Sequence, residues 1–224
     1  MSTGILNTIV SMPPFHALLS FGLVAGVLIL IPGPSVLYSI TQALSNGRDS
    51  APLTVVANTF GVLTQGLVVA FGVGVFLTQS SVGFTAVKVF GSAYLIYLGF
   101  TTFKSRKQKA GLVIKTNTVM SPSKVLRQGY TVGVSNPKTA IFMAVVLPQF
   151  ISQNATSASI QMTIFAFEFC VVGVLSDSAW VLVAARAKEW LSSTPKRLEY
   201  LVGLGGVVIV VLGIVLLSFA PRFH

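Results

Sequence analysis

The sequence predicts an all-α integral membrane protein: six transmembrane helices in a 3+3 inverted repeat, the first and fourth of them broken. Three observations carry this. Mean hydropathy is +0.83, and only 9% of the 224 residues are charged, against roughly 25% in soluble domains. Six apolar stretches each approach or exceed the ~20 residues that a helix needs to cross a bilayer. Two of these stretches are interrupted, at Leu30-Ile31-Pro32-Gly33-Pro34-Ser35 and at Ser135-Asn136-Pro137-Lys138.

The spans are predicted at about 15–44, 51–78, 82–103, 126–149, 159–185 and 198–220. They are predicted to form one transmembrane domain over 1–224, with repeat 1 at about 15–103, a basic loop at 104–125 and repeat 2 at about 126–220. The connections differ sharply in charge. Lys104, Arg106, Lys107, Lys109, Lys115, Lys124 and Arg127 follow the third span; Arg186, Lys188, Lys196 and Arg197 follow the fifth; the second and fourth connections carry no charge. The positive-inside rule therefore places connections one, three and five in the cytoplasm and both termini outside. Lys88 opposes that assignment and reads as a side chain snorkelling to the outer interface. The net charge of +10 sits beside apolar segments, which favours anionic lipid over nucleic acid as its partner. The basic loop reads as solvated. Cys170 is the single cysteine, so an intramolecular disulfide or dithiol redox pair is excluded. The N-terminus lacks a basic n-region and a clear cleavage site, so the first apolar segment is expected to be retained.

The halves resemble each other in order. Gly26 and Pro34 match Gly129 and Pro137. Gly61-Val62-Leu63-Thr64-Gln65 matches Gly173-Val174-Leu175-Ser176-Asp177. Gly91 with Leu98-Gly99 matches Gly205 with Leu212-Gly213. A repeat of three spans must invert in the membrane, and such designs place their site at the repeat interface near the midplane. Gly22-xxx-Gly26 and Gly129-xxx-Gly133 read as close helix packing, with a homodimer left open.

Proline lacks the N–H that an α-helix needs, and in lipid each freed backbone group must be satisfied by protein or cavity water. Pro32, Gly33, Pro34, Asn136 and Pro137 are thus candidate binding positions. Freed carbonyls there can accept an ammonium, and half-helix N-termini can hold a carboxylate; together they match a zwitterion. Lys138 lies at about midplane depth, as an anchor for a substrate carboxylate, a partner for Asp177, or half of a purely structural ion pair. Gln65, Asn58 and Tyr38 are polar groups able to line the same cavity or to bond between helices. Asp177, about 13 Å from the basic cluster at Arg186, is the candidate proton carrier, since an intramembrane acid is a functional hypothesis by default. Glu168 is a second candidate for proton coupling, but nine residues away it faces the opposite side of the same helix.

Ile31-Pro32-Gly33-Pro34, Gly91-Ser92-Ala93-Tyr94-Leu95-Ile96-Tyr97-Leu98-Gly99 and Gln128-Gly129 followed by Asn136-Pro137-Lys138 together resemble the lysine exporter (LysE) family of amino-acid exporters, in its homoserine/threonine-exporter branch. The resemblance covers nearly the whole chain. It implies a bacterial inner-membrane exporter driven by the proton gradient, with a six-span inverted-repeat fold. Asp177 followed by Trp180 resembles the family's acidic-aromatic pattern in span five. Where the family often carries a histidine in span two, Gln65 stands here, and Glu168 lies outside the pattern.

The resulting expectation is a proton-coupled secondary exporter of amino acids or related small zwitterions, with no catalytic residues, cofactor or bound metal. Its rivals are a metal-ion or other small-solute exporter, a redox carrier and an intramembrane enzyme. The first wants clustered His, Asp or Cys ligands, the second wants two cysteines, and the third wants a nucleophile–base pair within reach.

Overall fold

A computed structural model describes residues 12–30, 33–46, 51–73, 80–115, 120–151, 157–186 and 194–218. These residues are helical with short connections, and no strand occurs among them. In chain order the helices are α1 (Phe15–Leu30), α2 (Pro34–Asn46), α3 (Ala51–Val68, continued by a π turn at Val69–Val73), α4 (Ser81–Lys104), α5 (Arg106–Lys115), α6 (Pro122–Val134), α7 (Pro137–Val146, ending in a 3-10 turn), α8 (Ala158–Arg186) and α9 (Pro195–Ser218).

Four stretches among the described residues are long and apolar enough to cross a membrane: Pro52–Gly72, Val82–Lys104, Ala158–Val183 and Lys196–Ser218. A fifth span results if α1 and α2 count as one, bent by 57°. The predicted fourth span is two shorter helices, α6 and α7, of 13 and 10 residues. Both interruptions thus fall at the proline motifs, as local chemistry requires. Ile31 and Pro32 lie outside the described residues.

The basic connection departs from expectation. Part of it forms helix α5, whose Ala110 is buried against Val36, Ile40 and Leu198. Arg106 pairs with Glu199 at 3.2 Å and lies over the Phe103 ring at 4.3 Å. Both ends of that pair touch solvent, so it orients α5 more than it stabilises it. An apolar patch on α2 and α9 lies under this stretch, and charge counting over the loop could not reveal it.

Glycines set two close helix crossings. On α6, a Cβ at Gly133 would collide with the Asn58 backbone of α3, and one at Gly129 would come within 2.8 Å of Ala57 Cβ. From the other side, Gly61 faces the Tyr130 carbonyl and the Val134 amide. At the α4–α9 crossing, Gly99 and Gly206 each face the other's carbonyl oxygen, at 2.6 and 2.7 Å from the added carbon. The Gly129/Gly133 pair therefore serves packing within the chain. Gly133→Ala is expected to lower stability by about 1–3 kcal/mol, the usual cost of overpacking, read as a drop in the detergent-solubilised melting temperature. An unchanged melting temperature would contradict the backbone contact.

The main core is aromatic on one side of the bundle. Phe21, Phe142 and Phe165 are fully buried, with Phe21–Phe165 centroids 4.9 Å apart and Phe142–Phe169 centroids 5.6 Å apart. Phe150 closes the cluster at 5.4 Å from Phe21.

Candidate functional site

The two interruptions meet. Asn136, the N-cap of α7, accepts a hydrogen bond through its Oδ1 from the Lys138 amide at 3.1 Å. Its Nδ2 donates to Ser35 Oγ, in the first turn of α2, at 2.7 Å. The second half-helices α2 and α7 therefore start at the same place, and the positive ends of both dipoles converge there.

Lys138 bridges the breaks from the other direction. Its Nζ donates to the Leu28 carbonyl at 3.1 Å and lies 3.1 Å from where a Gly33 Cβ would sit. In an unbroken helix the Leu28 carbonyl would accept from the N–H of residue 32. Residue 32 is proline, so the ammonium of Lys138 takes the place of the missing donor. Any side chain at Gly33 would press on that ammonium.

Gln65 does the corresponding work at the second break. Its Nε2 donates to the Val134 carbonyl at 2.8 Å and the Asn136 carbonyl at 3.0 Å. Its Oε1 accepts from Thr139 Oγ1 at 2.6 Å, and that hydroxyl also contacts the Asn136 carbonyl at 3.1 Å. These carbonyls, expected to be open to a substrate ammonium, are taken up by protein. Gln65 does not line the cavity, so its part is to hold the break in shape.

A cavity of about 30 Å³ lies between the breaks, bordered by Ser35, Asn136, Lys138 and Thr139 on one side and by Asn58, Cys170, Gly173 and Asp177 on the other. That volume holds about two waters. Lys138 and Asp177 are 3% and 4% exposed, and each feels the other's charge. Asn58 Nδ2 donates to Asp177 Oδ2 at 3.1 Å. The cavity thus holds one cation, one anion and several neutral polar groups in an apolar surround, a set able to bind both ends of a zwitterion.

Other predicted residues fall elsewhere. Glu168 lies against α1, its Oε1 2.7 Å from an added Gly22 Cβ, away from the cavity. Tyr38 points to the Val125 carbonyl at 3.4 Å. Sequence reasoning missed Ser35, Thr139, Phe169, Cys170 and Gly173 as cavity-lining residues. Thr139 could have been found as a hydroxyl one turn inside a half-helix start.

The profile of the LysE-type translocators matches residues 26–219. The chain belongs to this family. It is a translocator, and the family's members transport rather than catalyse. Over 199 residues it is 25% identical to the homoserine/homoserine lactone efflux protein of Salmonella typhi, covering 88% of this chain and 93% of the relative. It is 24% identical to the leucine efflux protein of Klebsiella pneumoniae, covering 87% and 88%. An uncharacterized membrane protein of Vibrio cholerae is 30% identical over 61% of this chain and 65% of its own length. No solved structure matches.

Proposed function

We propose that this translocator exports amino acids or related small zwitterions across the bacterial inner membrane, and that Asp177 carries the proton which drives it. One observation carries the reading: two broken helices meet at a cavity holding a buried ammonium and a buried carboxylate. The activities for which the homoserine and leucine efflux relatives are named agree with that chemistry. Lys138 and the α2 and α7 N-termini receive the substrate carboxylate, while Asp177, with Asn58 beside it, faces the substrate ammonium. Protonation of Asp177 removes the anion that holds the ammonium, so proton uptake from outside and substrate release are linked at one site. Pro32, Gly33, Pro34 and Pro137 shape the breaks and Gln65 props the second one. Proton coupling is given to Asp177 alone, since Glu168 lies off the cavity.

A 3+3 inverted repeat of six spans, with α1–α2 and α6–α7 as the broken ones, is supported by how helices pair. α3 packs on α6 as α8 packs on α1, while α4 pairs with α9 and α3 with α8. Exchanging the halves maps the first two pairs onto each other and the last two onto themselves. With both termini outside, as the basic connections favour, the Phe21–Phe142–Phe165 cluster seals the outer face of the cavity and α5 lies at the inner face.

The test is efflux of labelled amino acids from vesicles reconstituted with the purified protein. An inward proton gradient applied across right-side-out protein is expected to speed loss of neutral amino acids, and an ionophore to cancel it. Loss at the rate of protein-free vesicles for every amino acid tried would sink the reading.

A further inference from the structure

We infer that Phe169, Cys170 and Gly173 on α8 form the side-chain subsite of the cavity and restrict it to uncharged, compact side chains; this rests on the amino-acid reading above. The first argument is charge. Among the residues lining the cavity, Lys138 and Asp177 carry the opposite charges. The carboxylate and ammonium of an amino acid use one each. A further charge on the substrate would be buried without a partner, which disfavours basic and acidic side chains.

The second argument is register. Phe169, Cys170, Gly173 and Asp177 all border the cavity, and their spacing puts them on one helix face. Gly173 is one turn from Asp177, about 6 Å along the axis. A substrate held by its ammonium at Asp177 has Gly173 and Cys170 within reach of its side chain along the same face. The nearby lining is apolar, with Ile29, Val62 and Phe169.

The third argument is the glycine itself. Gly61, Gly129 and Gly133 are glycine because a neighbouring helix leaves no room for a Cβ. At Gly173, as at Gly26, Gly72 and Gly111, an added Cβ meets nothing within 4 Å, but Gly173 alone of these four borders the cavity. Close helix packing does not explain it. Its missing side chain leaves space that opens on the cavity, and a larger residue there would occupy the place of the substrate side chain. Phe169 bounds that space at the aromatic core, against Phe142.

The test uses Gly173→Ala and Gly173→Val in reconstituted vesicles, comparing export of alanine and leucine. Gly173→Val is expected to lower the leucine-to-alanine rate ratio at least tenfold, and Gly173→Ala to shift it less in the same direction. Cys170 is the chain's single cysteine, so the native protein supplies a second readout that needs no substitution. Leucine should slow modification of Cys170 by methyl methanethiosulfonate more than glycine does at equal site occupancy. An unchanged ratio in both variants, or equal protection by leucine and glycine, would overturn the subsite. Absence of amino-acid export by the native protein would instead overturn the reading on which the subsite depends.

Discussion

Asp177→Asn is expected to abolish the proton-driven part of export while leaving substrate exchange in place. Asparagine keeps the volume of the side chain, and its amide oxygen can still accept from Asn58 Nδ2, which in the native protein donates to Asp177 Oδ2 at 3.1 Å. What goes is the group that can take a proton on one side and release it on the other. Without it a proton gradient has no differential effect on the two access states, and a force that acts equally on both states shifts neither. An ordinary coupling free energy is about 1–3 kcal/mol, so gradient-driven accumulation should fall roughly 5- to 150-fold. The measurement is paired: labelled amino-acid efflux with and without a proton gradient, and counterflow with substrate on both sides. Exchange that survives while the gradient response disappears places coupling at this carboxyl. Full gradient-driven transport in the variant would move coupling elsewhere, with Glu168 the next group to substitute.

The residues of this site differ in how far they could be read from the chain. The breaks were legible because proline's missing N–H is a property of one residue and acts wherever the helix puts it. Asp177 and Lys138 stood out because ionisable groups in apolar spans are costly enough to be rare. Gln65 was seen as a cavity-lining or interhelical-bonding group, but the carbonyls it bonds were not. Which donor satisfies the Val134 and Asn136 carbonyls depends on how α3 crosses α6, and the glycines that set that crossing specify only that the helices come close. Phe169 and Cys170 were hidden for a different reason. In a soluble protein the buried face of a helix is its apolar face, but in lipid the outward face is apolar as well. On α8, exposed Phe167 and Val171 sit beside buried Phe169 and Cys170, and polarity does not separate the two sets. Helix α5 was concealed by its charge: four basic residues mask the buried Ala110 that helps dock it.

Replacing Lys138 is expected to damage both the fold and the transport, and the two losses can be separated. Lys138→Met keeps the apolar stem but removes the ammonium that bonds the Leu28 carbonyl at 3.1 Å. Hydrogen bonds to charged groups contribute about 1.5–3 kcal/mol, and here the carbonyl left behind has a proline at the position that would otherwise supply its donor. The same change leaves Asp177, 4% exposed, without its counter-charge. A buried charge left without compensation is costly, and protonation of Asp177 offers it an escape. The single variant should therefore melt well below the native protein and export nothing. Adding Asp177→Asn removes the stranded carboxylate. If Lys138 and Asp177 act as a pair, the double variant should regain stability relative to Lys138→Met by about 0.5–3 kcal/mol, the usual range for interacting neighbours. Transport should stay absent, because the substrate carboxylate has lost its cation. Strict additivity of the two melting-temperature losses would show that the two charges do not interact. Restored export in the double variant would show that Lys138 serves only to balance Asp177, and that the carboxylate of the substrate is held by the ends of α2 and α7 alone.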